Sequence, residues 1–187
     1  PMKHAEVIGA ALAQVLHAAG VSARNITTVV AGRGPAPFTG LRVGIAAARL
    51  FSEAAHCPLF GAVSLDAIAF AALDAGAAAS ADRPLLVTAD ARRKEVYWAL
   101  YSGLDEFGVP IRIDGPGVMK PEELDDYLVN RNVHPVTTDI AVSAANLGLL
   151  AEGQLRAGTI QEDTSALYLR AADAVEPKAR IGKAVSG

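Results

Sequence analysis

The sequence of 187 residues has little cysteine, few histidines and no long apolar run. Its one thiol, Cys57, cannot form a disulfide within the chain, and its apolar neighbours favour a core position over a nucleophile. The alanine-rich stretches are short and interrupted by charge, so none reaches the roughly 20 residues of a membrane-spanning helix. These scarcities predict a soluble protein in a reducing, cytoplasmic compartment, with no membrane partner.

An excess of positive charge is also lacking, because the formal net charge is -3 and the pI is about 5.8. Such a chain has no general attraction for the phosphates of nucleic acids. If RNA is involved, we expect a partner protein to supply the basic surface. Apolar residues make up 51% of the sequence, which is enough for one hydrophobic core or two small lobes.

Local signatures of catalysis are missing from the sequence. It contains no HExxH, CxxC, GxSxG or Gly-Lys-Ser/Thr motif, and its four histidines are scattered. The acidic run at residues 122–126 is typical of a solvated helix face, because no further metal ligands accompany it. The sequence therefore predicts no catalytic residue and no metal site in this chain.

The most informative stretch covers residues 26–51. A β-branched run, a loop of Gly and Pro at residues 32–40 and an alanine-rich run predict a strand, a turn and a helix, with Thr39 as the helix cap. The free N–H groups of such a loop can hold a phosphate, or the loop can simply turn the chain. Pro37 stands where a GxGxxG motif needs its third glycine, which disfavours nucleotide binding.

The other elements follow from periodicity and turn residues. We expect a helix at residues 4–19 closed by Gly20, and a strand at 58–63 followed by a helix capped by Ser64. Two successive βα units predict a parallel pair of strands. The remaining predicted elements are a hairpin of strands 85–89 and 95–101, a short strand within 108–117, helices from Pro121 and over 141–155, and a closing extended segment at 168–170.

A row of small residues lies on one face of the predicted second helix. Gly40, Gly44 and Ala48 recur every four residues, which allows another element to approach closely along that row. Two interpretations stay open. The row packs either against the sheet of this chain or against another molecule.

Three blocks of the sequence resemble the TsaB (YeaZ) family, whose members act in tRNA threonylcarbamoyladenosine synthesis. The first block is the loop and helix start, the second is a charged turn before an aromatic strand, and the third is Tyr168-Leu169-Arg170. The resembling residues are Gly32, Arg33, Gly34, Pro35, Phe38, Thr39 and Gly40 in the first block, and Asp90, Arg92, Glu95 and Tyr97 in the second. One departure is Ala36-Pro37, where the family usually carries Gly-Ser.

The resemblance implies a two-lobed, actin-like ATPase (ASKHA) α/β fold. We place the first lobe at residues 1–82 and the second at 83–187, which includes an extended C-terminal tail. The opening hairpin of the family is not seen at the start of this sequence. In the related enzyme TsaD a His-x-x-x-His pair binds the catalytic metal, and its positions fall on Ser64 and Ile68 here. The resemblance thus implies a non-catalytic relative of TsaD.

The family resemblance also implies partners. It implies a heterodimer with a TsaD-like protein, and a TsaE-like ATPase as a further partner. When alone, the chain is expected to form a homodimer, and it is expected to contact tRNA only through the complex. ATP and metal are then expected on the TsaD partner, and no cofactor on this chain alone. The residues expected at the partner interface are Ile8, Leu12, Val15, Gly40, Arg42, Gly44, Ala47 and Ala48.

The implied function is a scaffold that activates TsaD in modifying adenosine 37 of tRNAs that read ANN codons. The alternative is a stand-alone nucleotide-binding ATPase or kinase of the same fold. The charged turn also has two interpretations, because Asp90 beside Arg92 is either a catalytic acid or part of a solvated hairpin tip. The solvated tip is the more common situation.

Overall fold

The computed structural model describes residues 4–170, with side chains from residue 7 onward. The predicted C-terminal tail lies outside the described residues. Within the described part, none of the helices is long and apolar enough to cross a bilayer. The described chain folds as the mixed α/β structure that the sequence predicted, and its strands form two separate sheets.

The first sheet is a parallel pair of short strands. Strand β1 (Val29–Gly32) pairs with β2 (Leu59–Ala62), and helix α2 (Phe38–Ala55) connects them. Helix α1 (His4–Ala19) precedes this unit and ends at Gly20, whose φ is +65°. The predicted parallel βα arrangement is therefore confirmed.

The second sheet has four strands in the order β5-β4-β3-β6. Strands β3 and β4 form the predicted antiparallel hairpin, and β6 pairs in parallel with β3. The bounds of these strands are Leu85–Asp90 for β3, Val96–Leu104 for β4, Pro110–Met119 for β5 and Val136–Thr137 for β6. The remaining helices are α3 (Ser64–Asp74), α4 (Pro121–Asn130) and α5 (Ala144–Ala157).

Helices α3 and α4 cover opposite faces of the second sheet. On one face the α3 residues Leu65 and Ile68 pack against Leu85 and Tyr101. The alternation of side chains along a strand sends Leu86, Trp98 and Leu100 to the other face, against α4. Helix α3 also contacts α5, through a cluster that includes Ala67 and Leu150. The core is thus centred on α3, which lies between the two sheets.

Both predicted helix caps are wrong. Helix α2 begins at Phe38 with Pro37 at the cap position, so Thr39 lies within the first turn. Helix α3 begins at Ser64 itself, with Val63 at the cap position. In both cases the residue before the helix has an extended backbone, and no side chain caps the helix. Proline suits such a position because its missing N–H is not needed there.

Several predicted boundaries also change. Strand β1 begins at Val29, three residues after the start of the β-branched run, and β5 extends to Met119. Helix α5 begins at Ala144, because the side chain of Ser143 accepts a hydrogen bond from the N–H of Ala145 and caps it. Residues 168–170 form no strand. The division into lobes at residue 82 stays a prediction.

Candidate functional site

The first motif loop is fixed by hydrogen bonds to its own fold. The Arg33 N–H donates to the Ala62 carbonyl at 2.9 Å, and the Arg33 carbonyl accepts from the Leu167 N–H at 2.7 Å. The Gly34 carbonyl accepts from the Ser64 N–H at 2.8 Å. A Cβ on Gly34 would lie 3.1 Å from the Leu41 side chain, and its φ of +96° favours glycine. The loop therefore joins β1 to the start of α3, and Pro35 within it is buried.

The Arg33 side chain points to the C-terminal part of the described chain. Its Nη2 lies 2.5 Å from Oδ2 of Asp163, and only 14% of the side chain is exposed. Hydrogen bonds from Ser165, and to a smaller degree the Arg33 charge, hold the pKa of Asp163 below its ordinary value. Sequence reasoning found Arg33 and missed Asp163, which is 130 positions away.

Phe38 and Arg42 form a cluster with Tyr168 at the start of α2. The guanidinium carbon of Arg42 lies 3.6 Å from the centre of the Phe38 ring, in cation–π geometry. Arg42 Nε donates to the Tyr168 hydroxyl at 2.7 Å, and the two aromatic rings are 5.2 Å apart. The first sequence block therefore contacts the third.

The second block forms the tip of the β3–β4 hairpin. Asp90 pairs with Arg92 at 3.1 Å, and both side chains are more than 60% exposed, as in a solvated ion pair. The backbone of Arg92, Arg93 and Lys94 is left-handed, with φ between 54° and 63°. Tyr97 lies half-buried below the tip, where burial and then the charge of Asp90 raise the pKa of its hydroxyl. This geometry favours the solvated tip over a catalytic acid.

The third block also reaches the hairpin. Arg170 forms an ion pair with Glu95, and its Nη2 donates to the Ala91 carbonyl at 3.4 Å. Residues 168–170 thus contact α2 through Tyr168 and the hairpin through Arg170. The three blocks that are far apart in sequence meet along this one segment.

Several apolar side chains of α1 and α2 are left exposed in the described chain. On α1 Val7 is 59% exposed, Leu12 37% and Val15 66%, while Ile8 is half-buried. On α2 Leu50 is 68% exposed. We call these five residues the helix face. Val7 and Leu50 were not predicted, because neither lies three or four positions from a residue of the predicted rows.

The small-residue row of α2 is open. A Cβ on Gly40 or Gly44 would find no atom within 4 Å, so no described residue packs against the row at these two positions. Ala47 and Ala48 are half-buried beside them. Residues two apart in a helix do not share a face, so Arg42 lies away from both glycines. Arg42 therefore lies on a different face of α2 from Gly40 and Gly44, and its membership of the interface stays a prediction.

The positions compared with the metal-binding histidines lie at the start of α3. Ser64 is the first helical residue, and Ile68 is 3% exposed within the core. Among residues 4–170 no three His, Cys, Asp or Glu side chains lie close enough together to hold a metal ion. These two positions thus carry a hydroxyl and a buried aliphatic side chain, and an aliphatic side chain cannot bind a metal.

Comparison with protein families gives one match that covers most of the chain. Residues 2–144 match the family described as TsaD, tRNA N6-adenosine threonylcarbamoyltransferase. This range includes the first two sequence blocks and the helix face.

The chain is also similar to individual proteins. A Mycobacterium leprae protein is 44% identical over 101 residues, which are 54% of this chain and 24% of that protein. The tRNA threonylcarbamoyladenosine biosynthesis protein TsaB of Escherichia coli is 34% identical over 65% of this chain and 51% of its own length. The chain thus spans about a quarter of the first relative's length and about half of the second's.

Solved structures extend the likeness beyond the aligned sequence. The crystal structure of a Pseudomonas aeruginosa protein with similarity to peptidase YeaZ superposes with a TM-score of 0.73. It is 26% identical, and the match covers 91% of this chain and 86% of that one. The mixed α/β architecture is therefore that of YeaZ structures, of the actin-like type found in the TsaD family.

Proposed function

Because this chain belongs to the TsaD family and is similar to TsaB proteins, we propose that it acts in forming threonylcarbamoyladenosine in tRNA as a non-catalytic partner of a TsaD-like enzyme. The relatives from E. coli and Haemophilus influenzae are named as biosynthesis proteins of this modification. In this proposal the chain holds the enzyme in an active arrangement, and the enzyme modifies adenosine 37 of tRNAs that read ANN codons.

The observation that carries the proposal is the helix face. Val7, Val15 and Leu50 are each more than half exposed, although burial of such side chains contributes about 1.5 to 3 kcal/mol apiece. Large apolar side chains exposed on two neighbouring helices are typical of a protein interface. The open positions at Gly40 and Gly44 lie on α2 and leave room for a second helix to approach closely.

The residues at the start of α3 suggest which of the two proteins binds the metal and ATP. Ile68 is buried and has no lone pair for a metal, so the metal and ATP are assigned to the TsaD-like partner. A TsaE-like ATPase works with the pair, and free chains form homodimers through the helix face. With a net charge of -3 the chain meets tRNA only within the complex, in the cytoplasm.

The test uses the substitution Gly44→Leu in the full-length protein. No atom lies within 4 Å of the added Cβ, so the free chain should fold normally and gain up to about 1 kcal/mol of helix stability. Overfilling a helix interface costs about 1 to 3 kcal/mol, which weakens pairing with the TsaD-like enzyme about 5-fold to 150-fold. Native mass spectrometry and light scattering measure this pairing.

The matched control is Gly148→Leu. Gly148 also lies in a helix and has nothing within 4 Å of its Cβ, but it is on α5, away from the helix face. This variant should pair like the parent protein. If Gly44→Leu pairs as tightly as the parent protein, the small-residue row is not part of the interface. Absence of any complex, together with ATP hydrolysis by the isolated chain, would overturn the proposed function.

A further inference from the structure

An exposed group of side chains at the start of α2 consists of Phe38, Arg42 and Tyr168, and we call it the arginine cluster. Phe38 is 52% exposed, Tyr168 is 46% exposed, and Arg42 is exposed as well. The proposed pairing uses the helix face and the small-residue row, which are only a few residues. A stable interface takes about 20 to 30 residues from each partner, so we expect more of the surface around α2 to take part.

The positive charge of Arg42 has no counter-ion in the described part of the chain. Its Nε donates to the Tyr168 hydroxyl at 2.7 Å, and its guanidinium carbon lies 3.6 Å from the centre of the Phe38 ring. Neither contact supplies a carboxylate, and Nη1 and Nη2 donate to no described acceptor. The first turn of α2 contains no acidic residue either. Other arginines do form ion pairs with carboxylates, among them Arg33, Arg92, Arg112 and Arg170.

The guanidinium group of Arg42 is held in one orientation before any partner binds. Stacking on the Phe38 ring fixes its plane, and the hydrogen bond from Nε to Tyr168 fixes its rotation within that plane. Ordering a mobile arginine side chain on binding costs conformational entropy, which is largely avoided here. Because Nε already has an acceptor, a carboxylate can approach only end-on, where it accepts two parallel hydrogen bonds from Nη1 and Nη2.

The two rings add apolar surface next to this charge. Their centres are 5.2 Å apart, and both rings are about half exposed. Aromatic and arginine side chains are the types that are enriched at protein interfaces and that contribute most to binding. The cluster thus fits an acidic side chain that has an apolar neighbour. It does not fit a purely basic or purely apolar surface, because the charge of Arg42 would then stay unpaired.

We propose that the TsaD-like partner places the carboxylate of an aspartate or glutamate side chain against Nη1 and Nη2 of Arg42, with an apolar side chain on the rings of Phe38 and Tyr168. This inference rests on the proposed function, since it names the chemistry that the pairing partner presents beside the helix face. Pairing then depends on an ion pair, which salt screens, as well as on apolar burial.

The experiment measures pairing of the full-length chain with the TsaD-like enzyme by isothermal titration calorimetry, at about 0.05 M and about 0.5 M salt. Arg42→Gln removes the charge and should weaken pairing about 10-fold at the lower salt concentration. The same variant should show a smaller loss of affinity between the two salt concentrations than the parent does. If Arg42→Gln pairs as tightly as the parent, or keeps the same salt dependence, the proposed ion pair does not exist.

Two further variants separate the charge of Arg42 from its structural contacts. Arg131→Gln is the matched control, because Arg131 is also exposed and lies 3.9 Å from the centre of the Tyr127 ring, at the end of α4. It should pair like the parent. Tyr168→Phe removes the acceptor of Arg42 Nε and keeps the charge, so it should weaken pairing by no more than about 3-fold. If Tyr168→Phe costs as much as Arg42→Gln, then Arg42 acts only by holding residues 161–170, and the proposal is wrong.

The acid on the partner is found by exchanging its exposed aspartates for asparagine and its exposed glutamates for glutamine, one at a time. At least one exchange should weaken pairing with the parent about 10-fold and have little effect on pairing with Arg42→Gln. If no exchange behaves in this way, the inference is overturned, while pairing through the helix face is unaffected. If the parent does not pair at all, the proposed function fails, and this inference fails with it.

Discussion

Asp66 connects helix α3 to the second sheet through one carboxylate oxygen. This Oδ1 accepts a hydrogen bond from the Tyr101 hydroxyl at 2.7 Å and another from Arg112 at 3.1 Å. Burial raises the pKa of Asp66, against the opposing effects of the Arg112 charge and the Tyr101 hydrogen bond. Burial and the charge of Asp66 also raise the pKa of Tyr101 far above its ordinary range. The three side chains form one hydrogen-bonded network, in which Tyr101 is buried and Arg112 is exposed.

The first prediction concerns Tyr101→Phe and alkaline pH. In the folded chain Tyr101 keeps its proton, whereas in the unfolded chain it ionises near pH 10. The free energy of unfolding of the parent should therefore fall as the pH rises above about 10, and the variant should lose this part of the slope. At neutral pH the variant should be less stable by about 1 kcal/mol, because Asp66 loses one donor.

Urea unfolding at neutral and alkaline pH measures both effects. Absorbance at 295 nm follows tyrosine ionisation in the same samples and shows whether one tyrosine resists titration until the chain unfolds. An alkaline slope that is identical in parent and variant would mean that Tyr101 is not protected in the folded state.

The sequence indicated only some residues of the site, and the reason is the distance between partners. Arg33 was found because it belongs to a local motif. Its partner Asp163 and the pair of Asp66 with Arg112 are formed by residues 46 to 130 positions apart. No local periodicity or spacing carries such contacts.

Strand β2 depends on a glycine where a second segment crosses it. The N–H of Gly61 donates to the Gln161 carbonyl at 2.8 Å. A Cβ on Gly61 would overlap the carbonyl oxygen of Asp163 and lie 3.2 Å from the Arg33 side chain. Backbone cannot move aside as a flexible side chain does, so this close approach requires glycine.

The second prediction compares Gly61→Ala with Gly44→Ala. The first variant should lower the free energy of unfolding by about 2 to 3 kcal/mol, because it forces the segment around Asp163 away from β2. Gly44→Ala adds the same methyl group where nothing lies within 4 Å, and it should raise the free energy of unfolding by up to about 1 kcal/mol. Urea unfolding of both variants at one pH gives the comparison. Equal effects would contradict the close approach at β2.

The accuracy of the sequence predictions differed between the elements for physical reasons. The core helices and the β3–β4 hairpin were predicted because their apolar periodicity is strong and local. Strand β6 was missed because two residues, Val136 and Thr137, cannot show a period, and they pair only because β3 offers a free edge. The caps were misplaced because Thr39 and Ser64 are ordinary cap residues, and the backbone began each helix one or two positions earlier.

At the scale of the whole molecule, residues 161–170 run from one sheet to the other. Gln161 forms a bridge with Gly61 of β2, and Leu167 bonds to the loop after β1. Tyr168 then contacts Arg42 on α2, and Arg170 pairs with Glu95 at the hairpin of the second sheet. A single segment therefore connects the helix that carries the small-residue row to the charged hairpin tip.

The third prediction is that the contact of residues 161–170 with α2 and their contact with the β3–β4 hairpin are energetically coupled. Arg42→Ala releases Tyr168, and Glu95→Gln weakens the ion pair with Arg170. Tyr168 and Arg170 are only two positions apart. Loss of either contact should loosen the segment at the other contact. The two changes in the free energy of unfolding should therefore depart from additivity by about 0.5 kcal/mol or more.

Urea unfolding of the parent, both single variants and the double variant measures the coupling. Arg42→Ala combined with Tyr127→Phe, which removes the hydrogen bond to Asp114 and shares no partner with Arg42, should be additive. Additivity in both cycles would show that the segment does not transmit strain between the two sheets, and each sequence block would then stabilise only its own surroundings.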